Sequence, residues 1–252
     1  MTQTKIGHKI IHLERVDSTN NYAANEGKQG KISHGTVILA DIQTNGRGQR
    51  GNTWQSDPFS NLTMSLYLTP NAIIKQNQHS LNYAVSLALK DVLVKHAENV
   101  NIKWPNDLLI GKRKIAGILI ENQWGPFGIQ SCIVGIGLNL NQEKFEHDLG
   151  ISLSQATGKH HTPYNIMLAF CHAFQERWDS MESMGADALK KEFDKALWLR
   201  GVESTFVDAE TLEEFNAILV DTDEFGNLRL QKENGRIESF RNQSIRFKDR
   251  MV

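Results

Sequence analysis

Two cysteines in 252 residues, Cys132 and Cys171, are too few for a disulfide framework. Both sit inside apolar segments, QSCIVGIGL and LAFCHAF, and read as reduced core residues of a chain kept in a reducing compartment, the cytoplasm. No apolar run approaches the ~20 residues of a membrane span. The N-terminal MTQTKIGHKIIHLE lacks the apolar stretch of a signal peptide. Charge of one sign is missing too: 28 Lys and Arg against 29 Asp and Glu leave a formal net charge of -1. With a pI near 6.8, that balance excludes nucleic-acid binding through bulk charge. There is no internal repeat and no low-complexity tract. G-x-S-x-G, H-E-x-x-H and paired C-x-x-C motifs are absent, and His160-His161 has no metal-type spacing to Cys171.

What is present is ordinary globular composition, 40% hydrophobic and 23% charged, in a chain long enough for one large domain or one domain with a small appendage. Lys9–Val16 alternates like a strand, and Asp17-Ser18 offers a helix start before TNNYAANE, with Gly27 as a stop. Thr36–Gln43 and Asn61–Thr69 read as strands. Leu81, Ala84, Val85, Ala88, Leu89, Val92 and Leu93 recur at helical spacing. Ile102–Trp104, Ala116–Glu121 and Ile129–Asn139 read as three more strands, the first two joined by PNDLLIGKRK and the last two by WGPFG. Helices are predicted at about Tyr164–Met181, with Met167, Phe170, Phe174 and Trp178 on one stripe, and at about Ala186–Lys195. After Trp198 the texture changes to short alternating runs separated by EFGN and ENGR, the signature of hairpins. Two units are therefore expected, 1–196 and a small all-β unit of 197–252. In the second, residues 203–224 hold eight acids and no base, whereas 225–252 hold seven Lys or Arg against three acids. Self-complementary strand pairing and a basic edge for phosphates or an acidic partner both account for that split.

Gly46-Arg47-Gly48-Gln49-Arg50-Gly51 satisfies G-x-G-x-x-G, but Pro58 and Asn61 oppose the helix a dinucleotide fold needs after it, and position 71 is Asn rather than an acid. A Walker loop fails for want of G-K-[ST]. The stretch is then a glycine-rich connection between strands. It is either a plain loop or an anion cradle, in which glycines let backbone N–H groups approach and Arg47 and Arg50 fork onto oxygens. Lys112, Arg113 and Lys114 alone would be a solvated run. Asn106 and Asp107 in the same hairpin change the reading: Asp107 is a candidate magnesium ligand on a nucleotide, and a lysine can neutralise charge at a transferring phosphorus. Gly135-Ile136-Gly137-Leu138-Asn139 ends a strand in an amide that either caps a turn or faces a cleft. Ser18-Thr19-Asn20 either cap a helix or suit a neutral, hydrogen-bonding ligand.

Taken in order, DSTN, QTNGRGQRGNTW, KWPNDLLIGKRKIAGILIE and VGIGLNLN resemble the biotin protein ligases over residues 10–142, and more loosely beyond. The resemblance implies an α+β fold: a mixed, largely antiparallel central sheet with helices packed on it, of the class II aminoacyl-tRNA-synthetase-like kind, plus a small C-terminal SH3-like β-barrel. It implies an ATP-dependent, AMP-forming ligase. Such an enzyme activates biotin as biotinyl-5′-AMP and passes it to a lysine of the biotin carboxyl carrier protein domain of a biotin-dependent carboxylase. The cofactors implied are ATP and Mg2+, with biotin as substrate. Lys114 and Arg47 match the catalytic cations. Ser18, Thr19, Asn20, Gln43, Gly46, Arg47, Gly48, Gln49, Lys114 and Gly117 match biotin-binding positions. Arg50, Asn52, Trp54, Asn106, Asp107, Asn139 and Arg246 fall on the nucleotide side, Asp107 also as the Mg2+ ligand.

Two departures stand out. Gln49 and Asn52 occupy the fourth and seventh places of a loop that commonly reads G-R-G-R-R-G-R, so a weaker grip on pyrophosphate or adenylate is expected. Residues 1–9 leave no room for the helix-turn-helix of some relatives, so no operator DNA binding is expected, and no membrane binding; a monomer or homodimer is expected. A lipoate-type ligase is the alternative within the same chemistry, though its arginine pair, triple glycine and His-Asp are absent. A non-enzymatic biotin or nucleotide sensor is the alternative outside it, and Lys114 argues against that, because storage needs no such charge.

Overall fold

The computed structural model describes residues 4–146 and 149–248, and of Arg50 the backbone alone. In chain order the elements begin with β1 (Lys9–Val16), α1 (Thr19–Lys28), β2 (Thr36–Gln43) and β3 (Leu62–Leu68). Next come α2 (Ala72–Gln76), α3 (His79–Leu93), β4 (Val100–Lys103), β5 (Asp107–Ile110), β6 (Arg113–Gly125) and β7 (Gly128–Leu138). Then follow α4 (Leu153–Thr157), α5 (Pro163–Met184) and α6 (Ala186–Lys195). The chain closes with β8 (Glu203–Asp208), β9 (Glu214–Thr222), β10 (Leu228–Lys232), β11 (Ile237–Phe240) and β12 (Ile245–Phe247).

The first seven strands form one sheet in the order β1-β2-β3-β7-β6-β5-β4, and the last five form a second, β11-β10-β9-β8-β12. Only β1 and β2 run parallel; the other pairings are antiparallel. This is the mixed, largely antiparallel α+β architecture expected, with a small antiparallel sheet at the C-terminal end. Alternation sorts side chains between the two faces of the large sheet. Val37 and Leu39 enter the main core under α3, α5 and α6, whereas Ile38 joins Ala23, Ile32 and Ile133 in a smaller cluster under α1. Along α5, Phe170 stacks on Phe174 at 5.7 Å and Phe174 meets Trp178 edge-on at 6.0 Å. Each such buried ring is worth ~1.5–3 kcal/mol by transfer.

The main core continues without a break from the large sheet into the small one through Leu197, Trp198, Phe206, Leu219 and Phe247. Polar ties cross the same junction. Asp194 of α6 accepts from the backbone N–H (3.1 Å) and hydroxyl (2.8 Å) of Thr222, and Trp104 Nε1 donates to the Gly226 carbonyl at 2.9 Å. Two ion pairs join the acidic and basic halves of this unit, Asp221 with Arg229 and Glu214 with Lys248, and Glu238 pairs with Lys232 inside the basic half.

Several element boundaries differ from the expectation. α1 runs through Gly27 because that glycine packs against Tyr67, and the helix gives way at Gly30, where φ is +68°. The PNDLLIGKRK connection contains a strand of its own, β5, whose apolar Leu108 and Leu109 are fully buried. α4 was not anticipated, although Ser152 and Gln155 form a capping box and Gly158 closes it in the left-handed region. The stretch after Gly46-Arg47-Gly48 holds one turn of 3-10 helix (Gln49–Gly51) and no α-helix, so the dinucleotide pattern is a coincidence of letters.

Candidate active site

On the α1 side of the large sheet, alternation places Gly117 opposite Gly137 and Leu119 opposite Gly135, beside Thr63 and Ser65 of β3. Three glycines on one face leave a bare floor. Neighbours fill the space a Cβ would need: the Asn20 amide lies on Gly135 and the Trp54 indole on Gly137, with Trp54 and Lys114 both close over Gly117. Above this floor opens a cavity of about 250 Å³.

One end of the cavity is neutral. Ser18, Thr19 and Asn20, all buried, lie at the start of α1. Ser18 takes the N-cap position without a side-chain capping bond, so the capping reading gives way to a side chain lining the cavity. Thr19 donates from both its backbone N–H (2.8 Å) and its hydroxyl (3.0 Å) to Oε1 of Gln43. Ser65 Oγ lies 2.7 Å from the Thr19 hydroxyl and 2.6 Å from Asn20 Oδ1. Asn20 Nδ2 donates to Glu121 Oε2 at 2.7 Å, and Arg47 donates to Glu121 Oε1 at 2.7 Å and to Asn21 Oδ1 at 2.7 Å. A single polar chain thus runs from the back of the cavity to the glycine loop. Asp17 steadies its outer end, and the hydrogen bond from Asn21 holds that carboxyl below its usual range.

The other end is cationic. Lys114 pairs with Asp107 at 2.7 Å and sits 5.6 Å from the centre of the Trp54 ring. Its backbone is pinned independently of its side chain: the N–H donates to Leu149 O at 2.6 Å and the carbonyl accepts from Ile151 N at 3.0 Å. Arg47 of the glycine loop, Lys103 at the end of β4 and Lys114 near the start of β6 line the same cavity as Asp107. Such a site suits a ligand with a neutral, hydrogen-bonding head and an anionic tail, beside a second anion.

Of the residues singled out from sequence, Ser18, Thr19, Asn20, Gln43, Arg47, Gly48, Gln49, Asn52, Trp54, Asn106, Asp107, Lys114 and Gly117 line this one cavity. Gly46, Asn139 and Arg246 do not. Gly46 shapes the loop by accepting from the Trp54 backbone N–H at 3.0 Å. Asn139 is buried and bonds the carbonyls of Lys114 (3.4 Å) and Ile151 (3.2 Å), so it holds the lysine strand from behind. Arg246 is an exposed residue of β12 paired with Val207, and the small sheet reaches the cavity through Gln243 instead. The Arg50 side chain lies outside the described residues. Sequence reading missed Lys103, Ser65, Glu121 and Gln243 as site residues; the Gly135-x-Gly137 alternation in a strand was the one signal for the bare floor. Among the described residues no group of three or more His, Cys, Asp or Glu could hold a metal, and no helix is long and apolar enough to cross a membrane.

The profile of the biotin/lipoate A/B protein ligase family matches residues 12–141. A bifunctional ligase/repressor BirA of Bacillus subtilis is 30% identical over 190 residues, covering 73% of this chain and 58% of that protein. A biotin–[acetyl-CoA-carboxylase] ligase of Paracoccus denitrificans is 38% identical over 131 residues, 51% of this chain and 53% of that one. The chain thus spans little more than half the length of these curated relatives. Among solved structures, a biotin protein ligase from Aquifex aeolicus in complex with biotin and ATP superposes with a TM-score of 0.79 at 26% identity, covering 96% of this chain and all of the other.

Proposed function

Because the chain belongs to the biotin/lipoate A/B protein ligase family, we propose that it is an ATP-dependent biotin ligase that makes biotinyl-5′-AMP and transfers the biotinyl group to a lysine. The acceptor is the biotin carboxyl carrier domain of a biotin-dependent carboxylase, and the free, buried cysteines fit a cytoplasmic setting. The observation that carries this reading is the shared cavity of Arg47 and Lys114, which the uncharged Thr19 and Gln43 also line. Biotin's ureido ring has the donor and acceptor groups that Ser18, Thr19, Asn20 and Gln43 complement, and its carboxylate then points toward the cations.

A carboxylate is a poor acylating agent, so it must first gain a leaving group. Its oxygen attacks the α-phosphorus of ATP, the new C–O–P link forms, and pyrophosphate departs with the electron pair of the broken P–O bond. Both reactants are anions, and their repulsion is the obstacle. Arg47 from the glycine loop and Lys114 from β6 offset it by facing the two groups, while the loop over the cavity limits hydrolysis of the mixed anhydride. Magnesium would arrive on the triphosphate. Asp107, the one carboxylate among the described residues lining the cavity, fits it as a hard oxygen donor once it releases Lys114.

The test is to mix protein, ATP, magnesium and labelled biotin, with lipoate as control. Labelled biotinyl-adenylate and a labelled carrier domain are expected. Activation of lipoate instead of biotin, or of neither, would overturn the reading.

A further inference from the structure

Beside the candidate active site lies a second cavity of about 240 Å³, between the large sheet and the C-terminal sheet. The two share walls: Gln49, Pro105, Asn106 and Ile118 line both. Part of the partition is a side-chain contact, Asn242 Nδ2 to Gln49 Oε1 at 3.1 Å, beside the core residue Ile118. The compartment exists because β5 pairs with β6 only as far as Gly117, so the next stretch of β6, with Ile120 and Asn122, has no strand on that edge.

Its chemistry contrasts with the first cavity. Trp104, Tyr83, Phe193 and Phe225 supply aromatic walls, and the polar lining is amides; among the described side chains none of its lining residues is Asp, Glu, Lys or Arg. His79 is the titratable group on the wall apart from Tyr83, and burial pushes its pKa down against a smaller opposing pull from Asp223, so the imidazole is uncharged at neutral pH. Burial likewise pushes the Tyr83 phenol up to about 12, leaving it neutral. Two polar atoms of the wall, Asn122 Oδ1 and the Tyr83 hydroxyl, are buried with no hydrogen-bond partner among the described residues, while Asn122 Nδ2 donates to Gln78 Oε1 at 2.9 Å.

We propose that this second compartment is the channel for the acceptor's lysine arm, which reaches the activated acyl group past Gln49 and Asn106. The proposal rests on the ligase reading above and extends it to the second half-reaction. An ammonium entering this aromatic-walled space loses hydration, which favours the neutral amine that can attack, against the smaller pull of Asp223 and Asp194 behind the His79 and Tyr83 walls. On entry one proton passes to water. The amine nitrogen then bonds to the biotinyl carbonyl carbon, the acyl–oxygen bond to AMP breaks with its electron pair left on the phosphate, and the second nitrogen proton goes to solvent. The aromatic walls take up the methylene stem, and Asn122 Oδ1 receives an N–H of the arm or of its backbone. The C-terminal sheet would then be half of the channel, through Phe225, Gly226 and Asn242.

The test uses the full chain and a purified biotin carboxyl carrier domain, reading three rates: biotin-dependent pyrophosphate release, transfer to the domain, and release of biotinyl hydroxamate with hydroxylamine, a nucleophile too small to need the channel. Asn122→Trp, which fills the compartment from a strand position, should cut transfer to the domain by roughly tenfold or more. Adenylate formation and hydroxamate formation should stay near the wild-type rates. Ile120→Phe fills the same wall and should give the same split, which guards against one variant failing to fold. Transfer within about threefold of wild type in either folded variant would overturn the channel. A wild-type protein that makes no adenylate would instead remove the parent reading, so the two failures are separable.

Discussion

Replacing Lys114 by Ala separates charge from architecture. The strand at this point is held by main-chain bonds to Leu149 and Ile151 and by Asn139 on the Lys114 carbonyl, none of which involves the ammonium. What the substitution removes is the 2.7 Å contact to Asp107, between side chains 32% and 16% exposed, and the approach to the Trp54 ring. A pair of that exposure lies between surface and buried limits, so a stability loss of about 1–2 kcal/mol is expected. The effect on chemistry should be much larger. A cation facing charge that builds during phosphoryl transfer is worth roughly 10²–10³ in rate, so biotin-dependent pyrophosphate release should fall by that factor. Biotin binding, read by calorimetry, should weaken by less than about tenfold, because its neutral head is held elsewhere. Lys114→Arg should recover part of the rate, because the charge returns with a different shape. Full turnover by Lys114→Ala would refute the reasoning. So would a loss of biotin affinity equal to the loss of rate, since Lys114 would then be a ground-state contact only.

The other predictions concern residues around it. Glu121→Gln should loosen the glycine loop, because both Glu121 oxygens accept from donors and a carboxamide must turn an N–H toward Asn20 or Arg47; limited proteolysis between Arg47 and Gly51 should quicken, and an unchanged digestion rate would contradict the latch. Gly137→Ala should lift the Trp54 indole off the floor, with a red shift of tryptophan emission and a biotin affinity lower by roughly tenfold or more; wild-type emission and affinity would dismiss that arrangement. Gln49→Arg with Asn52→Arg should lower the ATP concentration needed for half-maximal rate at equal salt, and an unaltered requirement would show that the two missing cations do not matter. His34 is held below its ordinary pKa mainly by burial, and its Nδ1 accepts the Thr69 N–H at 3.1 Å. Its contribution is present above the unfolded pKa of about 6.5 and is lost as pH falls below it, so the denaturation midpoint should drop between about pH 7.5 and 5.5, and by less in His34→Asn.

Much of this was legible in the chain because it is local. Strand alternation, the α3 and α5 stripes and the hairpin turns each depend on neighbours a few residues apart. The ordered motifs, too, put Arg47 and Lys114 in one cavity. What escaped depends on long-range register. Glu121 reads as a charge at the end of an apolar strand, and only the fold brings it to Asn20 and Arg47, 101 and 74 residues away. Ser65 looked like a polar position in a strand until β3 was laid beside β7. The motif places Asn139 on the nucleotide side; only the fold shows that its buried amide bonds the carbonyls of Lys114 and Ile151. Arg246 is exposed on the three-residue strand β12, and Gln243, in the turn before it, lines the cavity.

The junction between the two sheets has a further consequence for how the molecule comes apart. Since Trp198, Phe206 and Phe247 share one apolar interior with the seven-stranded layer, the C-terminal sheet is not an optional rider. Heat or denaturant should melt both layers in a single transition. Any ligand seated against Gln243 should raise that common transition, not the melting of one half.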